Sequence, residues 1–496
     1  MARIRGWVVA LAAGALPALA FPAPSWWWLA WFGLVPLLLV VRAAPTPWQG
    51  AIRGWWGLSA FVLTTQYWLV TSIGPTLAAL AMGLGALWLP WGWLAHRLLS
   101  APVSVGRTAA AVVVLPGAWV AAEGVRSLPS LGGPWASLGA SQWNQPVTLA
   151  SAALGGVWLT SFVLAGANTA IAGMILHRDA AGRLVALGCV LACAGLGPAW
   201  YLLGPTPAGD TAVRVALVQT GDIADSGARE AAGEALTATL AGQRPDLVVW
   251  GESSVGQDVA SHPEVLARLA ELSRRVGADL LVNVDALAPD GGIYKSAALV
   301  GEHGILGSYH KTRLVPFGEY VPLRPLLGWI TRHSKAAATD RQRGTGPVVL
   351  HAGSLDIGPL VSYEATFSDL ARREVELGAE LLVYQSSTST FQGSWAQPQL
   401  ASQPAVHAVE VGRPAVHAGL SGDSSAYDAR GRRLAWCPSK FRGVVVVNVP
   451  LGSTSTPYQR LGDWVLVTAF VVLGGAGAVA VFRRRRFARV TDCVDE

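Results

Sequence analysis

Three short blocks of this chain each present one polar side chain just beyond an apolar run. LVVWGES places Glu252 after Leu247–Trp250, SYHKTRLVPFGEY places Lys311 after Ile305–Tyr309, and LVSYEATF places Ser362 after Leu360–Val361. A carboxylate, an ammonium and a hydroxyl form a complete set for acyl transfer. The base removes the nucleophile's proton, and the cation meets the negative charge that develops on the tetrahedral intermediate. The chain has four lysines, Lys295, Lys311, Lys335 and Lys440, against 33 arginines. Where arginine supplies nearly every positive charge, a lysine among apolar neighbours suits a role as a compact point charge. Each residue alone also fits a plainer role: a solvated loop lysine, a carboxylate at a helix N-terminus, a strand-end hydroxyl.

Bringing such a trio together requires strands that end near one another. AVRVALVQ, DLVVWGES, DLLVNVDA, IYKSAALV, GILGSYHK, GPLVSYEA, ELLVYQSS and RGVVVVNV read as strands, with helical patterns over about 226–242, 262–277, 365–378 and 396–412. Nearly continuous apolar strands separated by helices predict an α/β sandwich with helix-covered sheets. Loops at strand ends are where reacting groups collect in such folds. Patterning alone reaches a membrane-anchored α/β domain with a catalytic option.

The remaining sequence is of another kind. Of 496 residues, 52% are apolar, and the mean hydropathy of +0.40 is high. The excess lies in residues 1–203 and 461–482. A spanning helix takes roughly 20 apolar residues, and about eight candidates fall near 7–21, 26–42, 54–73, 77–97, 108–126, 149–176, 184–203 and 461–482. MARIRGWVVALAAGALPALA also has the basic start and short apolar core of a signal peptide, but the chain re-enters the membrane at once. Arg3 and Arg5, then Arg42 and Arg53, then His96, Arg97 and Arg107, then Arg178 and Arg183, flank alternate loops, and Arg483–Arg486 follow the last span. The positive-inside rule assigns these to the cytoplasm and 204–460 to the extracytoplasmic face.

The net charge of +6 thus reflects helix flanks and not a nucleic-acid partner. Trp26, Trp27 and Trp28, among 22 tryptophans, mark an expected interface. Glu123 and Arg126, at the end of a span, read as interfacial anchors, with a place on a substrate path as the alternative. The expected layout is a membrane domain over 1–203, the α/β domain over 204–460, a last transmembrane helix over 461–482 and a basic cytoplasmic tail over 483–496. The four cysteines form no metal pair or disulfide framework. Without a phosphate loop or dinucleotide fingerprint, no cofactor and no metal is expected.

Taken in order, these blocks resemble apolipoprotein N-acyltransferases, the membrane branch of the nitrilase superfamily. HKTRLVPFGEYVP carries the most specific likeness, LVQTGD, WGESS, SYEATF and TPYQRLGDW match further blocks, and the likeness runs through nearly the whole chain. It implies an αββα nitrilase-like sandwich on a polytopic helical base in the cytoplasmic (inner) membrane of a bacterium. It also implies ping-pong chemistry. An acyl chain passes from a phospholipid to an enzyme side chain, then to the α-amino group of the N-terminal diacylglyceryl-cysteine of a lipoprotein. By position, Glu252 is the general base, Lys311 the cation, and Glu319 and Glu364 supporting carboxylates, with Tyr363 beside them. Ser362 occupies the nucleophile position. The implied partners are the phospholipid donor, the diacylated lipoprotein acceptor and the membrane, and a monomer is expected.

That position departs from the pattern, since the family's block reads Cys-Tyr-Glu where this chain has Ser-Tyr-Glu. Cys437, 75 positions on, reads as structural. A thiol of reference pKa about 8.5 supplies some thiolate near neutrality, whereas an alcohol must lose its proton during attack. Neighbouring blocks differ too. YQSSTSTFQG stands for the family's Asn-Asp-Ala-Trp-Phe, QPAVHAVEVGRP for its arginine-bearing helix and GLSGDSS for its Thr-Asn-Asn-Gly segment. Three rewritten blocks favour natural divergence over one engineered change. The readings left open are an N-acyltransferase with Ser362 as acyl carrier, a catalytically impaired paralogue that binds lipoproteins or a partner acyltransferase, and an anchored amidase, which needs no such platform. The loop Leu323–Arg343, which contains LLGWI, is expected to act as a lid at the leaflet edge.

Overall fold

The computed structural model of the protein describes residues 2–100, 102–209, 211–287, 292–327 and 340–475. Among the described residues, the α/β part builds two six-stranded sheets from twelve strands. They are β1 (Ala212–Gln219), β2 (Leu247–Trp250), β3 (Asp279–Leu287), β4 (Ile293–Gly301), β5 (Gly304–His310) and β6 (Leu350–Ala352), then β7 (Leu355–Val361), β8 (Leu381–Ser386), β9 (Ala415–Gly419), β10 (Ser424–Tyr427), β11 (Arg433–Cys437) and β12 (Gly443–Pro450). The sheet orders are β12-β1-β2-β3-β4-β5 and β11-β10-β9-β8-β7-β6.

Both sheets follow one plan. β1, β2 and β3 run parallel, with β4 and β5 antiparallel beyond β3 and β12 antiparallel beside β1. Likewise β7, β8 and β9 run parallel, with β10 and β11 antiparallel beyond β9 and β6 antiparallel beside β7.

Side-chain alternation sorts the layers. Val215 and Leu217 of β1 join Leu247 and Val249 of β2 and Ile357 and Leu360 of β7 in the core between the sheets. Ala216, Val218, Val248 and Trp250 face the other way, onto Val265, Leu269, Leu272 and Val276 of the helix Pro263–Val276. The helices Ser368–Glu376 and Ala396–Val411 pack on the second sheet. The nitrilase-like αββα order is therefore present.

Eight strands lie where the apolar runs predict them. β6, β9, β10 and β11 do not announce themselves, because segments such as AVHAG and SSAY are short and lack β-branched runs. Their neighbours in the sheet make them strands. GPLVSYEA is also shorter than expected as a strand: it ends at Val361, and Ser362–Thr366 turn into a 3-10 helix.

In the apolar part, four described helices are long and apolar enough to cross a membrane by length and composition: Thr76–Leu99, Val105–Arg126, Ala152–Leu176 and Ala180–Leu203. Gly6–Ala20, Trp27–Arg42 and Trp464–Gly475 are apolar but shorter. The span expected near 54–73 is built differently. Pro47 opens a helix at Pro47–Thr65 whose N-terminus is capped by Thr46 Oγ1, and a 3-10 turn at Tyr67–Leu69 interrupts the remainder. Residues 476–482 of the last expected span, the basic tail with Cys493, and 328–339 of the expected lid lie outside the described residues.

Glu123 and Arg126 are not exposed anchors. Both are buried, because the segment after Arg126 folds back over the helix end and Leu138 N–H donates to Glu123 Oε1 at 2.7 Å. The Arg126 guanidinium sits over the Trp88 ring, 5.9 Å from its centroid.

The block TPYQRLGDW docks the two parts together. The helix Ala152–Leu176 is broken at Gly155 and Gly156. Beside that break, Trp158 Nε1 donates to Asp463 Oδ1 at 2.9 Å, Tyr458 OH donates to the same oxygen at 3.0 Å, and Trp464 Nε1 donates to Leu154 O at 2.9 Å.

Candidate active site

Lys311 follows β5 directly and is wholly buried. Its Nζ donates to Glu319 Oε1 at 2.9 Å, and Glu252 Oε1 stands 3.9 Å away on the other side. Burial alone acts to depress the Lys311 ammonium, but the charges of Glu319 and Glu252 and the Glu319 hydrogen bond outweigh it and hold it above its ordinary value. Burial likewise acts to raise Glu319, yet Lys311 and the Val315 N–H hold that carboxyl below its ordinary value. Lys311 is thus a dry, charged ammonium between two carboxylates.

Glu252 lies two residues beyond β2 and is buried. Its N–H donates to Ser386 O at 3.2 Å, and its Oε2 accepts from Ser387 N–H at 2.8 Å. Ser386 ends β8, and Val361 of β7 is paired with Gln385 of β8. Ser362 and the Ser386–Ser387 corner therefore leave adjacent parallel strands side by side, and that corner grips Glu252.

A second tie comes from Glu364. Its Oε1 accepts from Tyr309 OH at 2.7 Å, Thr312 N–H at 2.7 Å, Thr312 Oγ1 at 2.8 Å and Arg313 N–H at 2.9 Å. Its Oε2 accepts from Val361 N–H at 2.9 Å. One buried carboxylate thus joins the turn that carries Ser362 to the residues immediately after Lys311.

Each of the three blocks contains one non-glycine residue in left-handed backbone geometry: Ser253 at φ 58°, Phe317 at φ 61° and Ser362 at φ 56°. Such residues cost on the order of 1–3 kcal/mol and persist where their surroundings over-determine them. Ser253 meets that condition. Its N–H donates to Asn283 Oδ1 at 3.0 Å, its carbonyl accepts from Arg229 Nε at 2.7 Å and its Oγ accepts from Lys295 Nζ at 2.8 Å. At Ser362 the bend turns β7 sharply into the 3-10 helix, and the residue stays half-exposed while Tyr363, Glu364 and Ala365 are buried. A nucleophile elbow uses the same strand-to-helix corner.

Tyr363 points at the helical base, where its OH donates to Pro129 O at 3.1 Å. YQSSTSTFQG lacks tryptophan, and its Phe391 packs edge-on against Trp68 at 4.8 Å between centroids. Trp68 in turn meets Trp135 at 4.9 Å, and Trp395 meets Tyr67 at 5.5 Å. Cys437 ends β11, four strands from β7 in the sheet.

Several residues around the site escape a reading of the linear chain. Lys295 is buried, with Asp285 Oδ1 2.6 Å from its Nζ as well as the Ser253 hydroxyl. Gln385 crosses between the sheets, donating from Nε2 to Trp250 O at 2.9 Å and Leu281 O at 3.1 Å. A lone charge within the apolar run IYKSAALV was the available signal for Lys295. Nothing in YQSS marks Gln385. Among the described residues, no group of three or more His, Cys, Asp or Glu side chains is placed to hold a metal ion.

Comparison with known proteins covers both parts. The profile of the apolipoprotein N-acyltransferase N-terminal domain matches residues 13–170, and that of the carbon-nitrogen hydrolases matches 214–457. The chain is 31% identical to an apolipoprotein N-acyltransferase of Geobacter metallireducens, covering 97% of this chain and 96% of the relative. It is 30% identical to one of Pseudomonas aeruginosa, covering 93% of each. It is 26% identical to one of Vibrio vulnificus, covering 98% of each.

Proposed function

The chain belongs to the apolipoprotein N-acyltransferase family, and on that premise we propose how its own residues carry an acyl group. Ser362 is the acyl carrier, Glu252 the general base and Lys311 the cation that meets the oxyanion. The observation that carries this reading is the buried Glu252–Lys311–Glu319 cluster, tied through the five hydrogen bonds accepted by Glu364 to the turn bearing Ser362.

In the first half-reaction Ser362 Oγ attacks an ester carbonyl of a phospholipid, and its proton passes to the Glu252 carboxylate. The tetrahedral oxyanion forms beside Lys311, whose positive charge is worth more in a dry site than in water. Collapse breaks the bond to the glycerol oxygen. Glu252 returns the proton to that oxygen, and a lysophospholipid leaves. In the second half-reaction the free α-amino group of a diacylglyceryl-cysteine attacks acyl-Ser362. Glu252 accepts a proton from the nitrogen, the amide forms as the bond to the serine oxygen breaks, and Glu252 passes that proton to the serine oxygen.

An oxygen ester is a poorer donor to an amine than a thioester. Each tenfold loss must be offset by about 1.4 kcal/mol of added transition-state stabilisation. The positive charge kept on Lys311 and the complete burial of that ammonium act in that direction. Glu319 keeps Lys311 charged, and Tyr363 and Glu364 hold the turn.

The α/β domain faces the extracytoplasmic side of a bacterial inner membrane in this reading, supported by the alternation of arginine-bearing loops along the apolar part. Its phospholipid and lipoprotein substrates then meet it at the membrane surface.

The test is direct. Purified protein is incubated with phospholipid vesicles and a synthetic diacylated lipopeptide, and both are examined by mass spectrometry. An acyl adduct on the peptide containing Ser362 and a lipopeptide with a third, amide-linked chain are expected. Neither product from this protein or from its Ser362→Cys form would leave the catalytically impaired reading in its place.

A further inference from the structure

The helix Ala396–Val411 carries two buried groups, His407 and Glu410, that the acyl-transfer chemistry above does not use. His407 Nε2 lies 2.9 Å from Ala365 O. A carbonyl oxygen only accepts, so Nε2 carries a proton and donates it. Ala365 is the fourth residue of the turn that opens with Ser362. On the other edge of the ring, Nδ1 lies 2.9 Å from Glu410 Oε2, with one proton between them.

The second oxygen of Glu410 reaches the helical base. Oε1 accepts from Val157 N–H at 2.7 Å and from Ser368 Oγ at 3.1 Å. Val157 is the first residue after the break at Gly155 and Gly156. The break leaves its N–H without the usual partner one turn back, and a buried carboxylate at a helix N-terminus answers both the missing hydrogen bond and the helix dipole. His407 and Glu410 therefore form one polar path from the Ser362 turn to a broken helix of the membrane part.

We propose that His407 is a positioning residue for the Ser362 turn, holding it through the Ala365 carbonyl, and that Glu410 couples this turn to the broken helix Ala152–Leu176. The proposal rests on the reading of Ser362 as the acyl-bearing position. A left-handed corner such as Ser362 stays in place only where it is held from several sides. Glu364 holds it from the Lys311 side, and His407 holds it from the helix layer. Small displacements of a reacting atom are costly in rate.

Two substitutions divide the ring's contacts. His407→Gln keeps a donor near the Nε2 position and gives up the contact to Glu410. His407→Asn keeps a group near Nδ1 and removes the donor to Ala365. With full-length protein in phospholipid-detergent micelles, His407→Asn is expected to slow acyl-serine formation about tenfold or more, at unchanged KM for phospholipid, and His407→Gln to stay within about threefold of the parent.

Hydrogen exchange gives a readout independent of activity. The peptide covering 362–367 is expected to take up deuterium markedly faster in His407→Asn and only slightly faster in His407→Gln, which keeps the contact to Ala365 and loses the one to Glu410. Glu410→Ala is expected to speed exchange in both that peptide and the one covering 153–160. Equal behaviour of the Asn and Gln forms in rate and exchange, or a Glu410→Ala effect confined to one peptide, overturns the proposal. Exchange that changes as expected in proteins that never form acyl-serine keeps the structural link and removes the acyl-transfer reading.

Discussion

Lys311 Nζ and Glu319 Oε1 lie 2.9 Å apart, with the ammonium wholly out of reach of water. The pair contributes stability across the whole neutral range. Glu319 sits below its ordinary value, so its share is full above the usual carboxylate range and is lost as pH falls through the depressed folded value. Lys311 sits above its ordinary value, so its share is full below that value and is lost as pH rises through the raised folded one.

Glu319→Gln removes one partner of a buried pair. The expected loss of stability is about 3 kcal/mol, read by chemical denaturation in detergent. Without its nearest carboxylate, Lys311 feels burial more strongly and gives up its proton at lower pH. The alkaline limb of the pH–rate profile should therefore shift to lower pH. An unmoved limb would show that Lys311 is not the titrating cation.

Ser362→Cys should raise the rate of acyl-enzyme formation, since a thiol is the better nucleophile and a thioester the better donor to an amine. Ser362→Ala should leave no covalent adduct in intact-mass spectra. Persistence of an adduct in the alanine form would move the nucleophile elsewhere.

Glu252→Gln should lower the rate by about 10²–10⁴, the usual worth of a positioned base. Lys311→Ala should lower it by about 10²–10³, the usual worth of an oxyanion partner. Retention of activity by both forms would separate this cluster from the chemistry.

Gly156→Ala tests the joint between the two parts. Gly156 has φ +70° and ψ −173°, and an added Cβ would lie 2.6 Å from Tyr458 Cε2. The substitution forces a strained backbone and displaces a fully buried ring, so destabilisation on the order of 1–3 kcal/mol is expected. The measurement is the thermal transition of the purified protein. A transition within a degree of the parent would show that the break in this helix is not required.

Much of the fold was legible because local patterns carry it. LVVW and LLVYQS are apolar runs of strand length, and ELSRRVGAD shows a helix ending on a glycine, Gly277 at φ 70°. HKTRLVPFGEYVP placed Lys311 just past β5, whereas the Ser-Tyr-Glu block was expected to continue the strand that ends at Val361. The short strands β9 and β10 were hidden, because AVHAG and SSAY lie in a sheet only through the neighbours that pair with them. The burial of Glu123 and Arg126 was hidden for a related reason. A helix's sequence does not say what folds back over its end.

By itself the amino-acid sequence determined periodicity, helix length and the placing of Glu252, Lys311 and Ser362 at the ends of apolar runs. Those properties depend on residues a few positions apart. The tertiary structure alone decided that Glu319 and Glu252 share one ammonium, that Glu364 accepts from residues 51, 52 and 55 positions away, and that His407 reaches the Ser362 turn. Charge and hydrogen bonding act through space and fade over a few ångströms. Their partners are chosen by strand register and packing, which no local window contains.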